Sequence, residues 1–183
     1  MSTDLARTSL TDALRMFRNY KALGDRALAQ VDDAHLHKLI DADANSIAII
    51  AKHVAGNLRS RFTDFLTTDG EKPDRNRDAE FEMPETLSRD ALIRLWESGW
   101  AVALGAIETL GPDDLESSVY IRREEFRVVE ALNRAVTHIA YHVGQMVLLA
   151  KHFAGPAWQS LSIPKGQSAA FSQGRYKQGI LRR

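Results

Sequence analysis

Apolar residues recur along this chain at helical spacing in four blocks, and the polar stretches between them are broken by glycine and proline. From Ser9, a candidate N-cap, Leu10, Leu14, Phe17, Lys21 and Leu28 fall near a 3.6-residue period and predict a first amphipathic helix ending near Val31. Ile47, Ile50, Val54, Leu58, Phe62 and Phe65 form an apolar arc that predicts a second helix over 45–66, capped by Asp43 or Asn45. Residues 67–87 are polar, charged and interrupted by Gly70, Pro73 and Pro84. A loop of that length in a compact domain tends to be functional or disordered.

Ser88 can cap a third helix, whose apolar face is Leu92, Leu95, Trp96, Val102, Ala103, Ala106 and Leu110 and whose stop is Gly111-Pro112. The segment SVYIRREEF is β-branched and aromatic enough to be extended, as a short strand or a straight connection. Val128, Leu132, Ala135, Val136, Ile139, Val143, Met146 and Ala150 line one side of a fourth helix, over 125–154, that Gly155-Pro156 ends. The tail over 155–183, with apolar anchors Trp158, Leu161, Ile163 and Phe171, is expected to be irregular and to wrap the helices or a partner subunit. Four helices with almost no strand signal predict an all-α four-helix bundle with long connecting loops, one domain over 1–183.

Composition narrows the function classes. The 183 residues include 44% hydrophobic and 26% charged residues, enough for one buried core. Lys+Arg and Asp+Glu are both 24, so no global field draws the chain to nucleic acid or an acidic membrane. No acidic residue follows Glu130, while Arg134, Lys151, Lys165, Arg175, Lys177, Arg182 and Arg183 do; this sparse series reads as a solvated basic tail. Without a nucleic-acid reader motif, a nucleic-acid partner is disfavoured. Cysteine is absent, which removes disulfides, thiolate ligands and a cysteine nucleophile together. The N-terminal MSTDLARTSL lacks the apolar run of a signal peptide, and no stretch reaches membrane-spanning length, so the expectation is a cytoplasmic protein with no membrane partner.

The residues that carry chemistry are histidines. His138 and His142 are four apart on the fourth helix, so they project from one face with Cβ atoms about 6 Å apart, a spacing from which two imidazoles can converge on one ion. They share that flank with Ala131, Ala135, Leu149 and Phe153, at the edge of the apolar side. Two adjacent buried histidines need a partner between them, because unpaired polar groups are costly to bury. A metal ion is one solution; core histidines hydrogen-bonded to carbonyls or carboxylates are the other.

His53, at the edge of the second helix's apolar arc, adds a third nitrogen, while His35, His37 and His152 are expected in more exposed contexts. Three core-edge histidines fit one site that leaves coordination positions open, the arrangement of a catalytic metal. Such an ion polarises a bound group or activates a nucleophile. Imidazole ligands admit a divalent ion, zinc or nickel first, then iron, cobalt or manganese.

Asn57 could orient a ligand or bridge helices. Arg61 falls inside the apolar arc, where a guanidinium needs a carboxylate or an anionic ligand. Gln145, one turn beyond His142, and Tyr141 could support the histidines or serve capping and surface roles.

The runs NSIAIIAKHVAGNLRSRFTDFLTTDGEKPDRNRDAEF, VEALNRAVTHIAYHVGQMVLLAK and SIPKGQS together resemble the DinB-like (YfiT-like) superfamily of metal-dependent proteins, in an uncharacterised branch, from about Asp43 to Ser168. The resemblance implies a bundle of DinB topology with long crossing connections, often dimeric, whose metal ligands map onto His53, His138 and His142. It also implies chemistry with small-molecule thiols, as in thiol-dependent transferases. Two functions follow as expectations. One is a metalloenzyme that activates a thiol or water, a transferase or hydrolase. The other is a non-catalytic, stress-related or scaffold homodimer with a structural metal.

Overall fold

The computed structural model describes residues 3–82 and 87–173. Those residues are mostly helical with one small two-stranded sheet. In chain order the helices are α1 (Thr3–Leu28), α2 (Asp33–Leu36), α3 (Ile47–Phe62), α4 (Arg77–Glu80), α5 (Arg89–Glu108), α6 (Val128–Ala154) and α7 (Ser168–Ser172), with strands β1 (Ser118–Ile121) and β2 (Glu124–Arg127) between α5 and α6.

Four long helices, α1, α3, α5 and α6, pack in a ring. α1 lies against α5 and α6, and α3 lies against the same two helices. The links from α1 to α3 and from α5 to α6 must therefore cross a diagonal, which is why both are long and carry structure of their own. α1 and α5 run antiparallel: Arg18 pairs with Glu108, Lys21 with Glu97, and Arg89 reaches the carbonyl of Leu28.

Phe17 meets Phe62 and Trp100 edge-on, and Trp96 packs on Trp100, making an aromatic centre. The Trp96 indole donates to Asp25 at 2.7 Å, so its one polar atom is satisfied. α3 and α5 approach closely at Gly99, where a Cβ would stand 2.7 Å from the Cα of Ala55. Only glycine permits that contact.

Several boundaries differ from those the sequence predicts. α1 begins six residues before Ser9, which lies inside it. The N-cap of α3 is Ser46, whose hydroxyl accepts from the Ile49 N–H at 3.2 Å, instead of Asp43 or Asn45. α3 ends at Phe62, because Thr63 is extended and Asp64 takes a positive φ of 47°. Phe65 remains buried beyond the helix end, which explains why the apolar arc overran it.

α6 begins at Val128, and the extended segment before it is an antiparallel hairpin pairing Val119 with Phe126 and Ile121 with Glu124. Its turn residues Arg122 and Arg123 both have positive φ, 56° and 66°, the conformation of a tight hairpin turn. Both backbone N–H groups donate to the Asp69 carboxylate, at 2.9 and 2.7 Å, which compensates the strain of left-handed arginines.

Residues 67–82 form a loop interrupted by α4, and residues 83–86 of the predicted loop, Pro84 among them, lie outside the described residues. The tail packs back through buried Leu161 and partly buried Trp158, with Gln30 bonded to the backbone of Gln159. Among its described residues the regular structure is one 3-10 turn and α7; Arg175, Lys177, Arg182 and Arg183 lie outside the described residues. Among the described residues, no helix is long and apolar enough to cross a membrane.

Candidate metal centre

α3 and α6 bring the three histidines together. His138 and His142, one turn apart on α6, face His53 on α3, with ring centroids 5.3 Å and 4.8 Å from His53 and 4.6 Å from each other. One nitrogen from each ring can be chosen so that all three lie within 4.8 Å of one another, so the cluster could hold a metal ion. The Nε2 atoms of His53 and His138 are 3.3 Å apart. Two nitrogens bound to one tetrahedral ion at roughly 2.0–2.1 Å stand about 3.3–3.4 Å apart, so this pair already has the required separation.

Hydrogen bonds around the rings decide which nitrogens face inward. His53 Nδ1 lies 2.8 Å from Glu80 Oε2, and the carboxylate can only accept, so Nδ1 carries the proton and Nε2 points to the cluster. His142 Nδ1 lies 3.1 Å from Gln145 Oε1, which likewise makes Nδ1 the donor and leaves Nε2 unprotonated in the neutral ring. His138 has a buried Nδ1 with no hydrogen-bond partner.

A carboxylate behind a histidine is the usual support of a metal ligand: it fixes the tautomer and ring orientation and raises the basicity of the other nitrogen. Glu80 is itself fixed. Arg75 grips both of its oxygens, at 2.8 and 2.9 Å, and Gly56 on α3 makes room for it, since a Cβ there would lie 2.8 Å from the Glu80 carboxyl carbon.

Charges follow from these contacts. Burial pushes the His138 imidazole down to about 3, aided by the positive fields of its neighbours, so without metal this ring is neutral at pH 7. Burial lowers His142 as well. Burial opposes ionisation of Glu80, but hydrogen bonds from His53 and Arg75 and the charge on Arg75 outweigh it and hold the carboxyl below its ordinary range. Neutral rings at His138 and His142, with an ionised Glu80 nearby, are protonation states that favour metal binding.

The histidines line a cleft of about 660 Å³, together with Asn57, Arg61 and Tyr141. Arg61 is tied to Glu71 at 3.0 Å and to the carbonyl of Gly70, so the carboxylate-partner alternative describes it. Tyr141 is exposed and stands edge-on to His142 at 4.9 Å. Gln145 sits behind His142 as its hydrogen-bond partner. His35 stacks on Phe153 and binds Asp32, outside the cluster. Phe81, tilted over His53 at 4.7 Å, is a further cleft residue.

Glu80, Arg75 and Phe81 were not singled out by sequence reasoning. They lie in the 67–87 stretch, and its unusual length was the one signal that pointed toward them.

Fold and site together define a mostly helical protein with a histidine cluster suited to a metal ion. The chain belongs to the family described as protein of unknown function (DUF1572), which it matches over residues 4–167. No curated protein and no solved structure matches it.

Proposed function

We propose that this protein is a divalent-metal-dependent enzyme of the DinB-like superfamily, a four-helix bundle of DinB topology whose ion is held by His53, His138 and His142. The observation that carries the reading is Glu80 behind His53. A carboxylate brought from a distant loop, buried, gripped by an arginine and bonded to the outward nitrogen of one histidine is a support that a mere core histidine does not need.

The donor set fits zinc or nickel, with iron, cobalt and manganese as alternatives. Three imidazole nitrogens would leave an ion with coordination positions for water or substrate. A bound ion there would supply Lewis acidity, lowering the pKa of a water or thiol so that it becomes a nucleophile near neutral pH.

The chain's own residues do the rest. Glu80 and Gln145 hold the tautomers and orientations of His53 and His142. Arg75 fixes Glu80. Phe62, Phe65, Phe81, Ala131 and Ala135 make the cleft wall partly apolar, limiting bulk water and strengthening electrostatics within it. A thiol-dependent group transfer or a hydrolysis suits this arrangement.

The reading is tested by loading the purified protein with zinc and assaying transfer of a small thiol to an electrophile, beside ester and amide hydrolysis. Metal-dependent turnover lost in His53→Ala is expected. Metal binding without turnover across these substrates would favour a structural ion.

A further inference from the structure

The same cleft has an electrostatic character that a metal site does not require. Five arginines line it, Arg61, Arg75, Arg77, Arg122 and Arg134, and among the described residues no aspartate or glutamate does. Two carboxylates behind the wall answer three of these charges: Glu71 binds Arg61 at 3.0 Å and Arg122 at 2.9 Å, and Glu80 takes Arg75.

The other two arginines are poorly neutralised. Arg134 lies over the ring of Phe126 at 5.6 Å and forms no ion pair with a described residue. Arg77 lies over Phe81 at 4.9 Å, with Asp78 at 3.9 Å across an exposed pair, where screening leaves little interaction. Arg134 precedes His138 by one turn of α6, so the two project from one face. Arg77 reaches the cluster through Phe81, whose ring covers His53.

A second observation concerns Arg75. Its side chain is 5% exposed, yet its Nη1 is buried without a hydrogen-bond partner, and the nearest carboxylate oxygen, on Glu71, is 3.5 Å away. Arg75 therefore adds positive charge behind the cleft wall without presenting a free N–H edge to a ligand in it. Stacking on aromatic rings holds Arg77 and Arg134 in place while leaving their N–H edges free for a ligand.

We propose that the cleft binds a small organic oxyanion, carrying a carboxylate or phosphate group, through Arg77 and Arg134, so that the remainder of the molecule lies toward the histidine cluster. The oxyanion is the shared chemistry; planar guanidinium forks suit both groups. The inference rests on the metal-dependent reading only for the use to which the bound anion is put, since the arginines bind it with or without the ion. The substrate would then be an anionic metabolite anchored by its charge, with the group to be transformed near the metal position.

Calorimetric titration of the full-length protein, zinc-loaded and zinc-free, with succinate, inorganic phosphate and neutral succinamide tests this. Succinate or phosphate should bind while succinamide does not, and raising NaCl from about 50 to 500 mM should weaken binding several-fold. Arg77→Gln and Arg134→Gln, both at exposed side chains, should each weaken it roughly tenfold, the scale of one charge-assisted hydrogen bond. His138→Ala should retain anion binding while losing zinc, so failure of the metal reading and failure of the anion site give different results. Succinamide binding as well as succinate, neither anion binding at about 10 mM, or affinity unchanged in the double variant of Arg77 and Arg134 would each overturn the proposal.

Discussion

Glu80 bonds the outward nitrogen of His53 at 2.8 Å across 27 residues of chain, and it is the only carboxylate that touches the histidine cluster among the described residues. The relationship predicts a graded response. Glu80→Gln keeps an oxygen that can accept from Nδ1 but removes the charge, so zinc affinity should fall about tenfold; Glu80→Ala removes both, and the loss should approach about 100-fold. Competition with a chromophoric chelator measures both. Equal affinities in the two variants and the parent would mean that Glu80 serves the fold alone.

Arg75 and Glu80 form a buried ion pair, 5% and 9% exposed at their side chains. Removing one partner leaves an uncompensated charge, and Arg75→Ala should cost about 3 kcal/mol in chemical denaturation. Arg75→Met combined with Glu80→Leu should recover much of that stability, because apolar replacements avoid the desolvation penalty. The double variant should still bind zinc weakly, separating the pair's part in folding from its part at the site.

Stability of the zinc-free protein should depend on acidity in a defined window. His138 has a folded pKa of about 3 against an ordinary 6.5, so below 6.5 the unfolded chain takes up a proton that the folded one refuses. Its contribution is fully present above pH 6.5 and is lost as pH falls toward 3. By pH 5 the loss is on the order of 1–2 kcal/mol, allowing for partial exposure of the ring. Glu80, held below its ordinary value, adds a loss of the same sign at lower pH. Urea midpoints at pH 7 and pH 5 check this, and His138→Gln should reduce the difference, with the lowered His142 supplying a remainder of the same sign.

The helix contact at Gly99 makes a prediction independent of any metal. Ala has the better helix propensity by about 1 kcal/mol, but the new Cβ of Gly99→Ala would meet the Ala55 backbone, where overpacking costs about 3 kcal/mol. The steric term wins, and the variant should be less stable by roughly 2 kcal/mol. Gly105→Ala on the same helix meets nothing within 4 Å and should instead be neutral or stabilising. Thermal melts of the pair provide the comparison.

Periodic features were legible in the sequence and tertiary ones were not. His138 and His142 could be paired from spacing alone, and His53 joined them because its helix has a readable apolar edge. Arg61 stood out as a charge in an apolar arc, and its partner Glu71 proved to lie across the loop turn. Arg75, Glu80 and Arg122 carry no periodic signal, since loop backbone and the Asp69-braced hairpin place them. Periodicity misplaces helix ends where burial continues past the helix, as at Phe65, or where the helix begins with polar residues, as at Thr3. A side-chain cap such as Ser46 is ambiguous beside Asp43 and Asn45 until the first turn is seen.

If His53, His138 and His142 form one metal site, calorimetric titration of zinc into the metal-free protein should show one ion bound per chain. Affinity should fall at least tenfold in each of His53→Ala, His138→Ala and His142→Ala and stay unchanged in His35→Ala. No binding by the parent protein, or equal binding by all three cluster variants, would contradict it.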